Sequence, residues 1–278
     1  MREGRPSFTA AAVAAARGLG SVDPFAGELL PRAVGIAIHA AENASRRSPW
    51  IAAALNAVSL GLVDHIELRT AAIDEALREA LGAGVAQLVI LGAGLDARAW
   101  RIQGLEHVIA FEVDHPSTQA YKRARFEMRG SATAELRFVS VDFERESLDD
   151  ALANAGHRAT DKTFWIWEGV TPYLVPEATR ATLAVIAARS AKGSRLAATY
   201  ATPEATTLGP AMARAALVVF RALGEPIRGM WTDEQIADAL ESVGFETLDD
   251  TAPEEWPGAR DHRRILLIRE RLVVAEKK

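Results

Sequence analysis

The sequence predicts an α/β fold in which a mostly parallel sheet carries helices on both faces. Three observations lead there. Short apolar runs recur through the last two thirds of the chain, bounded by Gly, Asp or Glu and rich in Val, Ile, Phe and Trp. Segments with helical patterning separate them, and strands that alternate with helices pair in parallel. The runs are apolar at nearly every position rather than at every second one, as in strands covered on both faces.

In chain order, residues 1–81 read as helices. An Ala-rich stretch at 10–19 has high intrinsic helix propensity. Arg2 and Arg5 give it only the outline of a signal peptide, because Ala is a weak core residue for one. Ser21-Val22-Asp23-Pro24 is a break, and further helices are expected at 27–44, 49–61 and 62–81. The last sets Leu62, Ile66, Ile73 and Leu77 on one stripe. Strands then follow at 85–91 (VAQLVIL), 107–113 (HVIAFEV), 136–141 (LRFVSV), 163–167 (TFWIW) and 196–200 (LAATY). Later candidates at 245–248 and 264–268 bring the sheet to seven. Helices are expected at 116–128, 147–155, 176–190 and 233–243. Residues 202–231 hold three prolines and an apolar stretch at 212–223, and read as an inserted helical lid. The organisation expected is an N-terminal helical cap, 1–81, followed by an α/β domain, 82–278, that carries the lid at about 202–231.

Composition narrows the function. The chain has 278 residues, 49% hydrophobic and 25% charged, ordinary for a soluble globular protein. It has no cysteine, which excludes disulfides, thiolate metal sites and a cysteine nucleophile and fits a cytoplasmic location. A formal net charge of -5 argues against general affinity for nucleic acid or an anionic membrane. No apolar run is long enough to span a bilayer. No His and carboxylate cluster has metal-ligand spacing, so no metal is expected.

The chemistry gathers at the strand ends. The first run opens into Gly92-Ala93-Gly94, and the next three end at Asp114, Asp142 and Glu168. In an open parallel sheet these ends share one crevice, where ligands bind. Gly92 and Gly94 let backbone approach a ligand. Asp114, ending the second strand, can accept hydrogen bonds from ribose hydroxyls. The residues alone leave two ligand classes open, because Gly92 to Ala97 also fits the dinucleotide fingerprint. Asp96 in the turn would face a pyrophosphate badly if it points inward, and Asp142 would suit an adenine amino group. Asp96 and Arg98 are expected to brace the loop against each other. Trp165 and Trp167 are expected in the core.

The segments VILGAGLDARAWR from Val89, FEVDHP from Phe111, SVDF from Ser140 and WIWEGVTPYL from Trp165 together resemble the leucine carboxyl methyltransferase-like family of class I methyltransferases. Arg69-Thr70 with Ile73-Asp74-Glu75 belongs to the same resembling set, and AARGLGSVDPFA from Ala15 resembles the family's bacterial branch, which includes enzymes assigned to polyketide O-methylation. The resemblance implies a Rossmann-like class I methyltransferase fold and S-adenosyl-L-methionine as cofactor, leaving as S-adenosyl-L-homocysteine. It implies that Arg69 meets the methionine carboxylate and that Gly92, Ala93 and Gly94 pass under the methionine and ribose. Asp114 would hold the ribose hydroxyls, Asp142 and Phe143 the adenine, and Glu168 the methionine ammonium.

Methyl transfer from a sulfonium needs alignment more than covalent help, and such positioning supplies roughly 7 to 11 kcal/mol. A carboxylate acceptor is ionised at neutral pH and needs no base, whereas a phenol gains from one. Tyr173 and His115 are the candidate substrate contacts; His39 and His65 lie in the cap. Leucine carboxyl methyltransferases proper carry an Arg directly after the pair matching Asp142-Phe143, for the substrate carboxylate. Here Glu144 stands there and Arg145 follows. The acceptor expected is therefore a small, polyketide-like acid or hydroxyl compound. The competing readings are a nicotinamide-dependent oxidoreductase, a non-catalytic nucleoside-binding module and, against the charge balance, a nucleic acid methyltransferase.

Overall fold

The computed structural model describes residues 8–20, 22–23, 25–59, 61–126, 132–142, 145–203, 214, 218, 221, 226–259 and 269–278. Four helices come first: α1 (Phe8–Leu19), α2 (Arg32–Arg47), α3 (Pro49–Val58) and α4 (Leu62–Gly82). α2 starts later than the periodicity suggests because Pro31 stands at its N-cap and Ala26–Leu29 tighten into a 3-10 turn. The α/β part then runs β1 (Gln87–Leu91), α5 (Arg98–Arg101), β2 (Ile109–Asp114), α6 (Pro116–Phe126), β3 (Glu135–Ser140) and α7 (Leu148–Asn154). It continues with β4 (Thr163–Trp167), α8 (Pro176–Ala188), β5 (Arg195–Ala201), α9 (Asp233–Ser242), β6 (Phe245–Thr251) and β7 (Glu270–Lys277). Thr232 and Gln235 form a capping box that fixes the start of α9.

The strands form one seven-stranded sheet in the order β3-β2-β1-β4-β5-β7-β6. Pairing is parallel from β3 through β5, and β7 runs antiparallel to both β5 and β6. The order reverses between β1 and β4, so the crevice for a ligand opens above the ends of these two strands.

Successive side chains of each inner strand point to opposite faces. Leu88 and Ile90 of β1 join Ile73 and Leu77 of α4 in one core, while Val89 and Leu91 join Trp165, Trp167 and Ile186 in the other. Both tryptophans are core residues, and Trp165 Nε1 donates to Ser190 Oγ at 2.9 Å. The expected lid lies for the most part outside the described residues. At the described end of that segment Arg228 N–H donates to Pro172 O at 2.7 Å and Trp231 N–H to Ala201 O at 2.9 Å. The expected strand at 264–268 also lies outside the described residues; the last described strand is β7. Among the described residues no helix is long and apolar enough to cross a membrane.

One core contact carries a pH dependence. His157 is buried beside Phe111 and Trp165, at ring-centroid distances of 5.4 Å and 5.3 Å, with Nε2 3.1 Å from Thr163 Oγ1. Burial, aided by the Arg189 guanidinium, pushes its pKa from 6.5 down to about 4. The unfolded chain takes up this proton near pH 6.5 and the folded chain only near 4. The stability it contributes is therefore full above pH 6.5 and lost as pH falls through 4. Urea denaturation at pH 7 and pH 4 should differ by about 2 kcal/mol from this group, with the shift discounted for solvent screening. His157→Gln should flatten that part of the profile; an unchanged profile would remove His157 as its cause.

Candidate functional site

The turn after β1 builds the floor of a cavity of about 360 Å³ at the sheet's switch point. Gly92 has φ +65° and Gly94 φ +50°, left-handed conformations that glycine alone takes without penalty. A Cβ on Gly92 would sit 2.5 Å from Val170 Cγ2. Val170 is β-branched and has little rotamer freedom to yield. Gly92→Ala is therefore expected to destabilise by about 2 kcal/mol or more, from backbone strain plus this clash. Val170→Ala in the same chain should restore part of the loss in a thermal melt, whereas equal melting of Gly92→Ala and wild type would contradict the contact.

Asp114 closes the turn from the neighbouring strand. Its Oδ2 accepts from Gly94 N–H at 2.5 Å and its Oδ1 from His115 N–H at 2.6 Å. Burial raises its pKa, and these two donors oppose the rise. They occupy two of the roughly four acceptor positions of a carboxylate. The Thr118 hydroxyl, which lines the same cavity, is a further donor to Asp114.

Opposite the turn stands Glu168, just past β4. Arg17 Nη2 donates to it at 2.6 Å, Arg69 Nε at 2.9 Å and Arg98 Nη1 at 2.9 Å. Burial alone would raise its pKa, but the three guanidiniums hold it well below the usual carboxylate range. Arg69 also donates to Glu270 Oε2 at 2.8 Å, which His65 Nε2 approaches at 2.7 Å. Burial opposes the ionised form of Glu270, but Arg69 and His65 bring its pKa to about 2. Arg98 pairs with Asp96, as expected, although the pair is buried, and its Nε donates to Asp74 Oδ1 at 2.7 Å. Arg101 joins Asp74 to Asp23, the latter at 3.4 Å. One network of buried charges thus ties α1 and α4 to the ends of β1, β4 and β7.

Of the residues singled out in the sequence, Arg69, Gly92, Ala93, Gly94, Asp114, Glu168 and Tyr173 line this one cavity. Asp142 does not line it; it follows β3 and lies 3.7 Å from Arg145. Phe143 and Glu144 lie outside the described residues. His115 does not line the cavity either, and its Nδ1 instead holds Ser117 Oγ at 2.8 Å at the start of α6. His65 is tied to Glu270, and His39 is exposed. Sequence reasoning missed Arg17 and the apolar wall that Ala10, Val13 and Ala14 of α1 add. Arg17 is 6% exposed, and its Nε has no hydrogen-bond partner among the described residues. It also missed Glu270. Among the described residues no group of His, Asp and Glu is placed to hold a metal ion.

Comparison with known proteins gives a consistent outcome. A family model described as leucine carboxyl methyltransferase matches residues 8–187. A Mycobacterium avium protein named "Putative S-adenosyl-L-methionine-dependent methyltransferase" is 39% identical over 207 residues, covering 68% of this chain and 64% of that protein. A Mycolicibacterium smegmatis protein of similar name is 38% identical over 204 residues, 69% of this chain and 64% of its own length. The chain thus spans just under two thirds of the length of these relatives. Among solved structures, one described as a "putative methyltransferase" from Thermobifida fusca superposes with a TM-score of 0.64 at 18% identity, covering 99% of this chain and 96% of that one. A Streptomyces avermitilis protein described by the family label DUF574 gives 0.62 at 16% identity, with 99% of both chains covered.

Proposed function

The chain belongs to the leucine carboxyl methyltransferase family, and from that premise we propose that it transfers a methyl group from S-adenosyl-L-methionine to an oxygen of a small acceptor. The sheet order 3-2-1-4-5-7-6 is that of the class I methyltransferase fold. The observation that carries the cofactor assignment is the glycine turn braced by Asp114 at one side of the cavity. Arg17, Arg69 and Arg98 balance Asp96 and Glu168, whereas Asp114 has no arginine partner among the described residues and can take the ribose hydroxyls. A dinucleotide brings a pyrophosphate instead, which calls for free backbone donors at the turn, and Gly94 N–H is committed to Asp114. The dinucleotide motif also needs a helix N-terminus after its glycines, and α5 is a single turn, Arg98–Arg101.

The residues present fit the cofactor. Glu168 is assigned to the methionine ammonium, and Arg17 and Arg69, which line the same cavity, to the carboxylate. Asp114 accepts from the ribose diol, and Asp142 with Phe143 is assigned to the adenine. When bound, the cofactor supplies an electrophilic methyl on a sulfonium. The protein's work is to align the acceptor oxygen with it and exclude water. α1 already walls one side of the cavity. Tyr173 is assigned to the acceptor side. We assign the acceptor to small, polyketide-like acids or phenols, on the resemblance stated above and on Glu144 standing where a protein-tail carboxylate would need a cation.

Methyl-labelled S-adenosyl-L-methionine with a panel of such acceptors tests this reading. Release of S-adenosyl-L-homocysteine should appear with at least one of them. A carboxylate acceptor should react at a rate independent of pH above about 5, while a phenol should react faster as pH approaches about 10. Methylation only of a peptide ending in leucine would refute the small-molecule assignment.

A further inference from the structure

We propose that His65 is a positioning residue of the cofactor site: by sharing the Glu270 carboxylate with Arg69, it leaves the Arg69 guanidinium aimed at the cofactor's amino acid carboxylate. The inference rests on the methyl-transfer reading and adds to it a residue that does not line the cavity. His65 stands four residues before Arg69 on α4, so the two side chains leave the same face of the helix. Glu270, at the start of β7, meets them there. Its Oε2 lies 2.7 Å from His65 Nε2 and 2.8 Å from Arg69 Nη1. Glu270 is held ionised, and an ionised carboxylate only accepts, so His65 Nε2 carries the proton. Among the described residues, His65 and Arg69 are the partners of Glu270.

Arg69 is thereby drawn from two sides. Its Nε donates to Glu168 at 2.9 Å in the cavity, and its Nη1 to Glu270 behind it. Its Nη2 stands against Gly169 of the cavity wall, where a Cβ would come within 3.6 Å. Charge-assisted bonds of this kind are the strong ones, and a buried carboxylate must find donors. With His65 in place Glu270 has two. Without it, Glu270 would rest on Arg69 alone and draw the guanidinium towards β7, away from Glu168 and from the cofactor's carboxylate. The His65 ring is itself fixed. It packs on Trp256 at a centroid distance of 5.4 Å, and the Trp256 indole donates to Thr251 Oγ1 at 3.2 Å. Its buried Nδ1 has no partner among the described residues, so the ring's hydrogen bond there goes to Glu270.

Calorimetric titration of the full chain with S-adenosyl-L-homocysteine and with methylthioadenosine, which has no amino acid end, tests it. Wild type and variants are compared below the lowest melting temperature among them. His65→Leu removes the donor and should weaken S-adenosyl-L-homocysteine about tenfold, with methylthioadenosine unchanged. His65→Gln sets an amide N–H near the position of Nε2 and should stay within about threefold of wild type for both ligands. His65→Asn, too short to reach Glu270, carries the expectation for His65→Leu should that variant not fold. Equal losses for the two ligands would mean that His65 supports the fold alone, and overturn the proposal. So does a leucine or asparagine variant that binds S-adenosyl-L-homocysteine as tightly as wild type, or a glutamine variant as weak as either. Wild type that binds neither ligand overturns the methyl-transfer reading and this proposal with it, whereas the other failures leave that reading standing.

Discussion

Replacing Glu168 with alanine is expected to destabilise the fold by about 3 to 5 kcal/mol, because removing one partner of a buried ion pair leaves charge uncompensated. Here one carboxylate serves three guanidiniums from three distant parts of the chain, Arg17, Arg69 and Arg98. Arg98 keeps Asp74 and Asp96, and Arg69 keeps Glu270. Arg17 keeps only Asp96, at 3.5 Å, so most of the loss falls on α1. Urea denaturation should show the drop, and Arg17→Met in the same chain should recover part of it. Glu168 is held below its ordinary pKa of 4.5 in the folded state. Its contribution is therefore full above pH 4.5 and is lost as pH falls towards the folded value. The variant should lose less stability than wild type under acid. A Glu168→Ala protein as stable as wild type would mean that the network is not the tie between α1 and the sheet.

Asp114→Ala should weaken binding of S-adenosyl-L-homocysteine about a hundredfold, equivalent to about 3 kcal/mol. Two losses combine. The ribose hydroxyls lose a charged acceptor, and such bonds contribute roughly 1.5 to 3 kcal/mol each. The glycine turn also loses its brace, since Gly94 N–H and His115 N–H both donate to this carboxylate. Asp114→Asn keeps the shape and one acceptor oxygen but sets its NH2 against one of these two N–H donors, and should lose about tenfold to a hundredfold. Calorimetry on both variants, with a thermal melt to confirm folding, measures the effect. Equal affinity across wild type and both variants would remove Asp114 from the ribose site.

How much of this was legible in the sequence follows from burial. The inner strands β1, β2, β4 and β5 are covered on both faces, and their continuous apolar runs mark them out. β4 falls on the expected 163–167 without change. β7 escaped because it is antiparallel and mixed in character, ERLVVAEK, and opens on Glu270, which is committed to Arg69. The strand ends were legible because topology alone brings Gly92, Asp114 and Glu168 to one crevice. Arg17 was not, because it sits in an Ala-rich helix with no local signal of a ligand. Its role comes only from the fold, which carries α1 across some 150 residues of sequence to Glu168. Arg69 was legible by resemblance, but not its second partner. The expected mutual brace of Asp96 and Arg98 is present, and its burial reflects a wider network that no local spacing encodes.

The most direct test of the central claim is calorimetric titration of the wild-type chain with S-adenosyl-L-methionine, S-adenosyl-L-homocysteine and reduced nicotinamide dinucleotide. Asp114 as ribose acceptor, and a glycine turn followed by a single helical turn only, predict binding of the first two in the micromolar range and none of the third. Binding of the dinucleotide alone, or of none of the three to folded protein, would contradict the methyl-transfer account.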